Sequence, residues 1–191
     1  DISFSAVIDD AKQMITITPS SEFSSEQVVY VAIGATVEDE WDNAISASSS
    51  TFTTADATAP SVNFDPADTA TGIPIEANVT LTFSEAIRNV DDTAITNSNV
   101  GDLITLEYAY DHSPIAFTAT IDAAKKVITI NPDSDFISGE VVFVSIESVE
   151  DNAGNAMSAT SGTFSVTDVT PPVVAFSPAN LATNVSVDTD I

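Results

Sequence analysis

The feature that most constrains this chain is an internal repeat. The segment FSAVIDDAKQMITITPSSEFSSEQVVYVAI, which begins at Phe4, matches FTATIDAAKKVITINPDSDFISGEVVFVSI, which begins at Phe117. The second copy then loses one residue, and from there matched positions such as Asp56 and Asp168 lie 112 residues apart. A fixed period indicates that one structural unit is encoded more than once. We therefore expect copies of one unit and not a single large domain.

The repeat divides the chain into three predicted parts. Residues 56–167 form one complete unit, 1–55 correspond to the C-terminal half of a preceding unit, and 168–191 to the N-terminal start of the next. The linkers DATAP at 56–60 and DVTPP at 168–172 mark the boundaries. Because proline fixes its own backbone and favours an extended preceding residue, we expect short, stiff linkers. Incomplete units leave strand edges that need a partner.

Alternating apolar residues predict strands in the complete unit, because a half-buried strand shows its core face at every second residue. The predicted strands are 61–65, 78–84, 103–110, 115–121, 127–131, 140–147 and 162–167. The residues predicted to be buried are Val79, Leu81, Phe83, Phe117, Ile128, Ile130, Val144 and Phe164. Seven short strands separated by turn residues are typical of an immunoglobulin-like sandwich, with a small barrel as the alternative. The sequence thus predicts an all-β protein of tandem seven-stranded immunoglobulin-like β-sandwiches.

The charge of the chain excludes several classes of partner. Acidic residues number 29 and basic residues 4, which gives a formal net charge of −25. Repulsion from phosphate at this charge excludes nucleic acid and an anionic membrane surface. Cysteine is absent, so disulfides cannot stabilise the fold, and hard cations such as calcium are the natural substitute. No apolar run is long enough to span a bilayer and the first residues lack a basic signal region, so we expect any export signal or anchor outside this sequence.

Five motifs follow one another in the complete unit. They are PSVNFDPADTATGI, VTLTFSEAI, KVITINP, VVFVSIESVEDNAGNAM and GTFSV, and the most specific combination is VTLTFSEAI with DNAGN at 151–155. In this order they resemble the S-layer-type bacterial Ig-like domain. Members of that family are tandem modules of S-layer proteins, large adhesins and other secreted cell-surface proteins, sometimes beside enzyme domains. The resemblance implies spacing and display at the extracellular cell surface, and it identifies no ligand.

Sandwich topology predicts an acidic cluster at one end of the complete unit. The chain enters at one pole, and the connections between strands 2 and 3, 4 and 5, and 6 and 7 return there. The side chains expected near Asp56 are Glu85, Asp91, Asp92, Asp122, Glu150, Asp151 and Asn155. Calcium takes about six to eight oxygen ligands, so this pattern predicts calcium at the junction. The candidate ligands there are Asp56, Glu85, Glu150, Asp151 and Asn155, and those of neighbouring junctions are Asp168, Glu38, Asp39 and Asn43.

Turn formation is the alternative role for these residues, because Asp and Asn are common in the turns of β-proteins. In DNAGN, Gly154 supplies a positive φ and Asn155 hydrogen-bonds the loop backbone. The first copy reads DEWDNA at 39–44, with Asp42 in place of that glycine. We therefore expect the special backbone conformation to be lost or shifted there. The sequence leaves both roles open.

No pattern in the sequence indicates catalysis. His112 is the single histidine, and without a cysteine or a second histidine it is predicted to be a turn residue. Adjacent acids such as Asp91 and Asp92 cannot flank a substrate as glycosidase carboxylates do. A GxSxG nucleophile elbow and a glycine-rich phosphate loop are absent. We therefore predict that the chain is not an enzyme.

The leading hypothesis is a structural spacer of an extracellular bacterial surface protein, such as an adhesin, an S-layer or a fibre. Its partners are neighbouring Ig-like repeats in the same chain or assembly, with calcium at the junctions. One alternative is a glycan- or protein-binding module, which needs exposed aromatic residues repeated at one site, but Trp41 is replaced by Ala153 in the other copy. We expect Trp41 to pack on a neighbouring domain. The other alternative is an accessory domain of a secreted enzyme.

Overall fold

The computed structural model of the 191-residue chain describes residues 1–188. Strands make up nearly all of the regular structure in that part. They are β1 (Phe4–Ile8), β2 (Ile15–Pro19), β3 (Val28–Ile33), β4 (Ser48–Thr53), β5 (Val62–Asp65), β6 (Ala70–Ile73), β7 (Val79–Phe83), β8 (Arg88–Asn89), β9 (Ile104–Tyr108), β10 (Phe117–Ile121), β11 (Val127–Pro132), β12 (Val141–Ile146), β13 (Val149–Glu150), β14 (Ala156–Met157) and β15 (Thr160–Val166). A 3-10 turn over Val100–Leu103 is the one helical element described. Nowhere in residues 1–188 is there a helix long and apolar enough to cross a membrane.

Residues 56–167 form a sandwich of two four-stranded sheets. One sheet has the order β10-β11-β7-β5 and the other has the order β6-β15-β12-β9. Neighbouring strands in both sheets are antiparallel, except that β6 runs parallel to β15. A small third sheet has the strand order β14-β13-β8, and its strands β13 and β14 flank the loop that contains Asp151. The prediction of an all-β, immunoglobulin-like sandwich is confirmed.

The core lies between the two sheets and consists of the apolar residues at alternate strand positions. Val79, Leu81 and Phe83 alternate with threonines along β7, and all three are buried. The predicted core residues Ile128, Ile130, Val144 and Phe164 are buried as well. The ring of Phe164 contacts Phe136 edge to face, with 5.5 Å between ring centroids.

Two features of this unit differ from the sequence-based expectation. The strand β6 was not predicted, because ATGI lacks apolar alternation and Gly72 has a positive φ of 71°. Phe117, predicted to be buried, is only half-buried, although it packs against the core. It lies on β10, which is an edge strand of its sheet and has a neighbour on one side only.

Residues 1–55 form two hairpins with the strand registers of the complete unit. In β1–β2, Phe4 is opposite Pro19 and Ile8 is opposite Ile15, as Phe117 and Ile121 of β10 are opposite Pro132 and Ile128 of β11. The hairpin β3–β4 has the same register as the pair β12–β15. Except for Val29, which is 4% exposed, their apolar residues are far more exposed than those of the complete unit: Phe52 is 47% exposed, and its counterpart Phe164 is 1% exposed.

Residues 168–188, called the tail below, retain the local conformation of the start of the complete unit without forming a strand. Leu181 and Asn184 have positive φ values of 63° and 58°, as their counterparts Thr69 and Gly72 have values of 62° and 71°. The same turn is closed in both places by a backbone hydrogen bond of 3.0 Å, from Ala182 to Ala179 and from Ala70 to Ala67. The last three residues of the predicted third part, 189–191, lie outside the described residues.

Candidate functional site

Three predicted ligand residues meet at the junction between residues 1–55 and the complete unit. Asp56 lies in the linker, Glu85 follows β7, and Asp151 follows β13. A carboxylate oxygen of each lies within 4.8 Å of one from each of the others. We call these three residues the junction triad. The linker before β5, the end of β7 and the end of β13 meet at this pole, so residues distant in sequence converge here.

Asp151 organises the loop that follows β13. Its side chain is almost fully buried, at 1% exposure, and its Oδ1 atom accepts hydrogen bonds from the backbone N–H groups of Ala153 (2.7 Å) and Asn155 (2.9 Å). The Nδ2 group of Asn155 donates to Oδ2 at 2.7 Å. Burial raises the pKa of Asp151, but the hydrogen bonds from Asn155 and the loop backbone outweigh it and bring the pKa below its ordinary value. Asp151 is therefore ionised at neutral pH.

Glu85 has the opposite electrostatic environment. Burial raises the pKa of its carboxyl, and the negative charges of Asp151, Asp56 and Glu26 raise it further. Lys126 opposes this effect only weakly. An ionised Glu85 thus costs free energy in the folded state, because its charge is partly desolvated beside other carboxylates. A cation at the junction triad would remove this cost.

Asp56 joins the two units that it separates. Its Oδ1 atom accepts a hydrogen bond of 2.9 Å from the hydroxyl of Ser25, and the Ser25 hydroxyl oxygen in turn accepts one of 2.9 Å from the N–H of Ala57. On the other side, the Nδ2 group of Asn155 donates to the backbone carbonyl of Asp56 at 3.3 Å. Asp56 therefore contacts the preceding hairpins through its side chain and the complete unit through its backbone.

The same pairing of serine and aspartate occurs at the second linker. The hydroxyl of Ser138 donates to Oδ1 of Asp168 at 3.0 Å, and the N–H of Val169 donates to the Ser138 hydroxyl at 2.8 Å. Ser138 is the counterpart of Ser25 in the repeat. Hydrogen bonds from the backbone of Thr170 and from Ser138 lower the pKa of Asp168. We call this arrangement the serine–aspartate lock. Sequence reasoning missed its serines, although their equivalent positions in the two copies were a usable signal.

The Asp39 loop, which is the counterpart of the Asp151 loop in the first copy of the repeat, has the same hydrogen bonds. Oδ1 of Asp39 accepts from the N–H groups of Trp41 (2.8 Å) and Asn43 (3.0 Å), and the Asn43 side chain donates to Oδ2 at 2.9 Å. Asp42 has a φ of 63°, and its counterpart Gly154 has one of 88°. Of the two expected outcomes, loss or shift, the positive φ is not lost and its value is shifted from 88° to 63°. The side-chain and backbone bonds to Asp39 hold the loop, and Asp is one of the residues that tolerate a positive φ.

Trp41 lies on this loop and is 77% exposed. Within residues 1–188, the Trp41 ring is therefore not buried against another part of the chain. Its packing on a neighbouring domain stays a prediction. Glu38, another predicted ligand, forms an isolated β-bridge with Ala44. Within the described part of the chain, the junction triad is the one group of three or more acidic residues close enough to share an ion. The ligand roles of Asp168, Glu38, Asp39 and Asn43 stay predictions.

Arg88 is a basic residue of this pole whose pairing sequence reasoning did not predict. Its Nε atom lies 2.9 Å from Oε1 of Glu150, and its Nη2 atom lies 2.6 Å from Oδ1 of Asp92. Glu150, a predicted metal ligand, is therefore neutralised by an arginine. The signal was available, since Arg88 is one of only four basic residues and β8 pairs with β13.

The remaining acids of the predicted cluster form turns. Asp122 accepts hydrogen bonds from the backbone N–H groups of Lys126 and Val127, at 2.7 and 3.0 Å, and Asp91 accepts from the N–H of Thr93 at 3.1 Å. His112 also lies in a turn, with its Nδ1 atom 2.6 Å from Oε1 of Glu107. That carboxylate raises the pKa of His112.

Two sheets in this strand order define an immunoglobulin-like β-sandwich protein. A family profile described as "Bacterial Ig-like domain" matches residues 56–167, which is more than half of the chain. The chain belongs to the bacterial Ig-like domain family. The comparison with curated proteins gave no match.

Several solved structures are similar to this chain at low sequence identity. Domains 1-6 of the surface layer protein SbsC share 12% identity over 61% of this chain and 15% of that chain, with a TM-score of 0.43. CopC from Methylosinus trichosporium OB3b shares 12% over 60% of this chain and 99% of that chain, with a TM-score of 0.42. The BSP domain of a biofilm associated protein shares 17% over 88% of this chain and 23% of that chain, with a TM-score of 0.31. The matched part is thus a small share of the surface layer protein, and these likenesses concern the fold alone.

Proposed function

We propose that this chain is a spacer of an extracellular bacterial surface protein, in which sandwich units are held in line by locked linkers. The observation that carries this proposal is the serine–aspartate lock at both linkers. A linker whose first residues are hydrogen-bonded to the preceding unit cannot swivel freely, so the direction of one unit limits the direction of the next. Membership of the bacterial Ig-like domain family supports a non-catalytic role.

A binding module is less well supported than a spacer. Binding at a repeated face needs the same exposed aromatic residue in each copy, but Trp41 stands where the complete unit has Ala153. Most apolar residues of the complete unit are packed in its core, and its exposed ones, such as Val90, Tyr110 and Ile137, lie apart in the sequence. An adhesin, S-layer or fibre remains the proposed context, with neighbouring repeats of the same chain or assembly as the partners.

The lock can be tested by removing one hydroxyl. Ser25→Ala deletes the donor to Asp56 and the acceptor of the Ala57 N–H, so we expect amide exchange at Ala57 to become about fivefold faster, the effect of losing about 1 kcal/mol of net hydrogen bonding. We also expect a broader distance distribution in small-angle X-ray scattering. Amide exchange by NMR gives the local effect.

The matched control for this experiment is Ser138→Ala. It opens the second linker in the same way, so it should accelerate exchange at Val169 and leave Ala57 and the orientation of residues 1–55 unchanged. A Ser25→Ala protein with wild-type exchange at Ala57 and an unchanged scattering profile would contradict the locked-linker proposal.

We further propose that calcium binds the junction triad and stiffens the junction. The support is the proximity of three carboxylates, the raised pKa of Glu85, and the remaining acceptor capacity of Asp151. A carboxylate has about four lone-pair sites, and three of those of Asp151 accept hydrogen bonds. One site on Oδ2 is left for a cation. The site is a partial one, and water or backbone carbonyls must complete the coordination.

Calcium is expected to raise the melting temperature of the wild-type protein, because an ion that binds the native state stabilises it by mass action, by about 1.4 kcal/mol at tenfold over Kd. Glu85→Gln is expected to raise the melting temperature at pH 7 in chelator and to weaken the calcium effect. The sign follows from the raised pKa of Glu85. The stabilisation that its protonated carboxyl gives the folded state is complete below the ordinary pKa of glutamate, and it is lost as pH rises through the higher folded-state pKa. Differential scanning calorimetry with calcium, with magnesium and with chelator measures both effects.

Asp133→Asn is the charge-matched control for Glu85→Gln. Asp133 follows β11, is exposed, and is not part of the junction triad. Its replacement should leave the calcium response at the wild-type level. A wild-type melting temperature that is identical in millimolar calcium and in chelator would leave turn formation as the sole role of these acids.

A further inference from the structure

The turn between β6 and β7 contains a short motif that the fold does not explain. Asn78, Val79 and Thr80 match Asn-x-Ser/Thr, the acceptor sequence of N-linked glycosylation, in which x is any residue except proline. The turn is closed by a hydrogen bond of 3.2 Å from the N–H of Ala77 to the carbonyl of Pro74. Asn78 comes directly after this turn and before β7, and it is exposed. The surface of the folded unit therefore leaves space around its side chain.

Turn formation does not account for Asn78. Other loop asparagines of this chain bond the backbone through their side chains: Nδ2 of Asn99 donates to the Ala94 carbonyl at 3.1 Å, and Nδ2 of Asn155 donates to the Asp56 carbonyl at 3.3 Å. Within residues 1–188, the side chain of Asn78 makes no hydrogen bond of this kind. Its amide nitrogen is thus free to react.

An acidic residue lies two positions before this asparagine. Glu76 is in the same turn and is exposed. A transferase with a basic side chain beside its peptide groove would bind that carboxylate by a charge-assisted hydrogen bond. A second Asn-x-Ser/Thr sequence begins at Asn184 in the tail, and it has Ala182 at the corresponding position. The chain thus offers one acceptor with the acidic residue and one without it.

The fold restricts when the motif can be bound by an enzyme. Val79 is fully buried, and Thr80, whose hydroxyl completes the motif, is half-buried. Both lie on β7, which is an inner strand: Thr80 is opposite Thr129 of β11 on one side and Asp65 of β5 on the other. A groove that holds three consecutive residues cannot accept a strand that is paired on both sides. The motif is accessible before β7 joins its sheet, or when the sheet opens.

We propose that Asn78 is an N-glycosylation site that is modified before β7 joins its sheet. This goes beyond the spacer function and does not rest on it, because an unglycosylated spacer would still hold its units in line. The donor is an oligosaccharide on a polyprenyl pyrophosphate. Nδ2 of Asn78 forms a bond to C1 of the first sugar, the bond between C1 and the pyrophosphate oxygen breaks, and the polyprenyl pyrophosphate leaves with the electron pair. One proton of the amide passes to a base of the transferase.

The position of Asn78 determines what an attached glycan covers. Asn78 precedes β7 and Glu85 follows it, so the glycan and the junction triad lie at opposite ends of the strand. The N–H of Phe136 donates to the Ile75 carbonyl at 2.8 Å, which places the turn beside the loop that contains Ser138 of the serine–aspartate lock. A glycan is bulky and polar. It would shield the second linker from solvent-borne proteases and leave the junction triad uncovered.

Export of the chain from a bacterium that carries an oligosaccharyltransferase and its lipid-linked oligosaccharide tests the proposal. The probe is a transferase that requires an acidic residue two positions before the asparagine. Intact-mass spectrometry should show one glycan per chain. Asn78→Gln removes the acceptor and Thr80→Val removes the hydroxyl with little change in shape, so each should abolish the mass shift. Glu76→Gln removes only the charge and should slow glycosylation about tenfold.

Asn184→Gln is the matched control and should leave the mass shift at the wild-type value. Calorimetry verifies that the variants at Asn78 and Thr80 fold, so that loss of the glycan is not loss of the protein. A wild type without a glycan in cells that glycosylate a standard acceptor protein, a mass shift that survives Asn78→Gln, or an unchanged rate for Glu76→Gln would each overturn the proposal.

The order of glycosylation and folding is tested with the purified transferase and folded protein. Phe164→Ala truncates a core residue of the facing sheet, so β7 opens more often, and we expect transfer to this variant to be at least about tenfold faster than to the folded wild type. Equal rates for the two proteins would show that the paired strand is itself a substrate, and would overturn the proposed order.

Discussion

Replacing Phe164 with alanine is expected to lower the free energy of unfolding of the complete unit by about 3–5 kcal/mol. Phe164 lies on β15 between the two sheets, is 1% exposed, and packs edge to face on Phe136. Its truncation leaves a cavity that the hydrogen-bonded ladders on either side cannot close. A denaturant titration followed by far-UV circular dichroism and extrapolated to water measures the loss.

The matched control is Phe52→Ala in the first copy. Phe52 makes the same edge-to-face contact with Phe23, at 5.8 Å between ring centroids, but it is 47% exposed. We expect a loss of about 1 kcal/mol or less, because much of the ring is already in water. Trp41 is the single tryptophan, so its fluorescence reports on residues 1–55 separately. Equal losses in the two variants would contradict the inference that β15 faces a closed core and β4 an open one.

The second large effect is expected from Asp151→Ala, which should lower the melting temperature by several degrees. The change removes a buried carboxylate that accepts hydrogen bonds from the N–H groups of Ala153 and Asn155, and the loss of these partly buried bonds is costly. It also frees the Asn155 side chain, which otherwise bonds the Asp56 carbonyl. Relief of the repulsion felt by Glu85 offsets part of this loss.

The pH dependence of this effect follows from the lowered pKa of Asp151. The stabilisation by its ionised form is present above the ordinary pKa of aspartate and is lost as pH falls through the lower folded-state pKa. The difference in melting temperature between wild type and variant should therefore shrink in acid. Asp39→Ala removes the same bonds from an exposed loop, where water replaces them, and should cost less. A difference that does not vary with pH would contradict the assigned role of the Asp151 carboxylate.

The sequence predicted the strands in which apolar residues alternate, but not those formed by contacts with distant residues. The alternation in VTLTF and KVITINP indicates directly which residues are buried, because side chains of a strand point alternately to opposite faces. The strand β6 owes its existence to the edge of β15, since its hydrogen bonds join Thr69 to Thr163 across the sequence. Phe117 shows the same limit, because edge position in a sheet determines how completely a residue is covered.

The sequence predicted that a set of acids lies at one pole, but not which of these acids pairs with a basic residue. Glu150 and Asp151 are adjacent in an extended segment, so their side chains point in opposite directions. Glu150 faces Arg88 and is neutralised, whereas Asp151 faces Asp56 and Glu85. Which of two neighbouring acids meets a cation depends on the position of β8 beside β13, and no local pattern encodes it.

The sequence by itself determined the repeat, the alternation that makes residues 56–167 a sandwich, and the concentration of acids in the linkers and loops. These properties are local or periodic, and each copy of the repeat shows them in its own sequence. Tertiary structure alone decided that serine locks each linker aspartate, that Glu85 acquires a raised pKa, and that Arg88 pairs with Glu150. Each of these depends on burial and distance between residues remote in sequence, since hydrogen bonds and charge repulsion act through space.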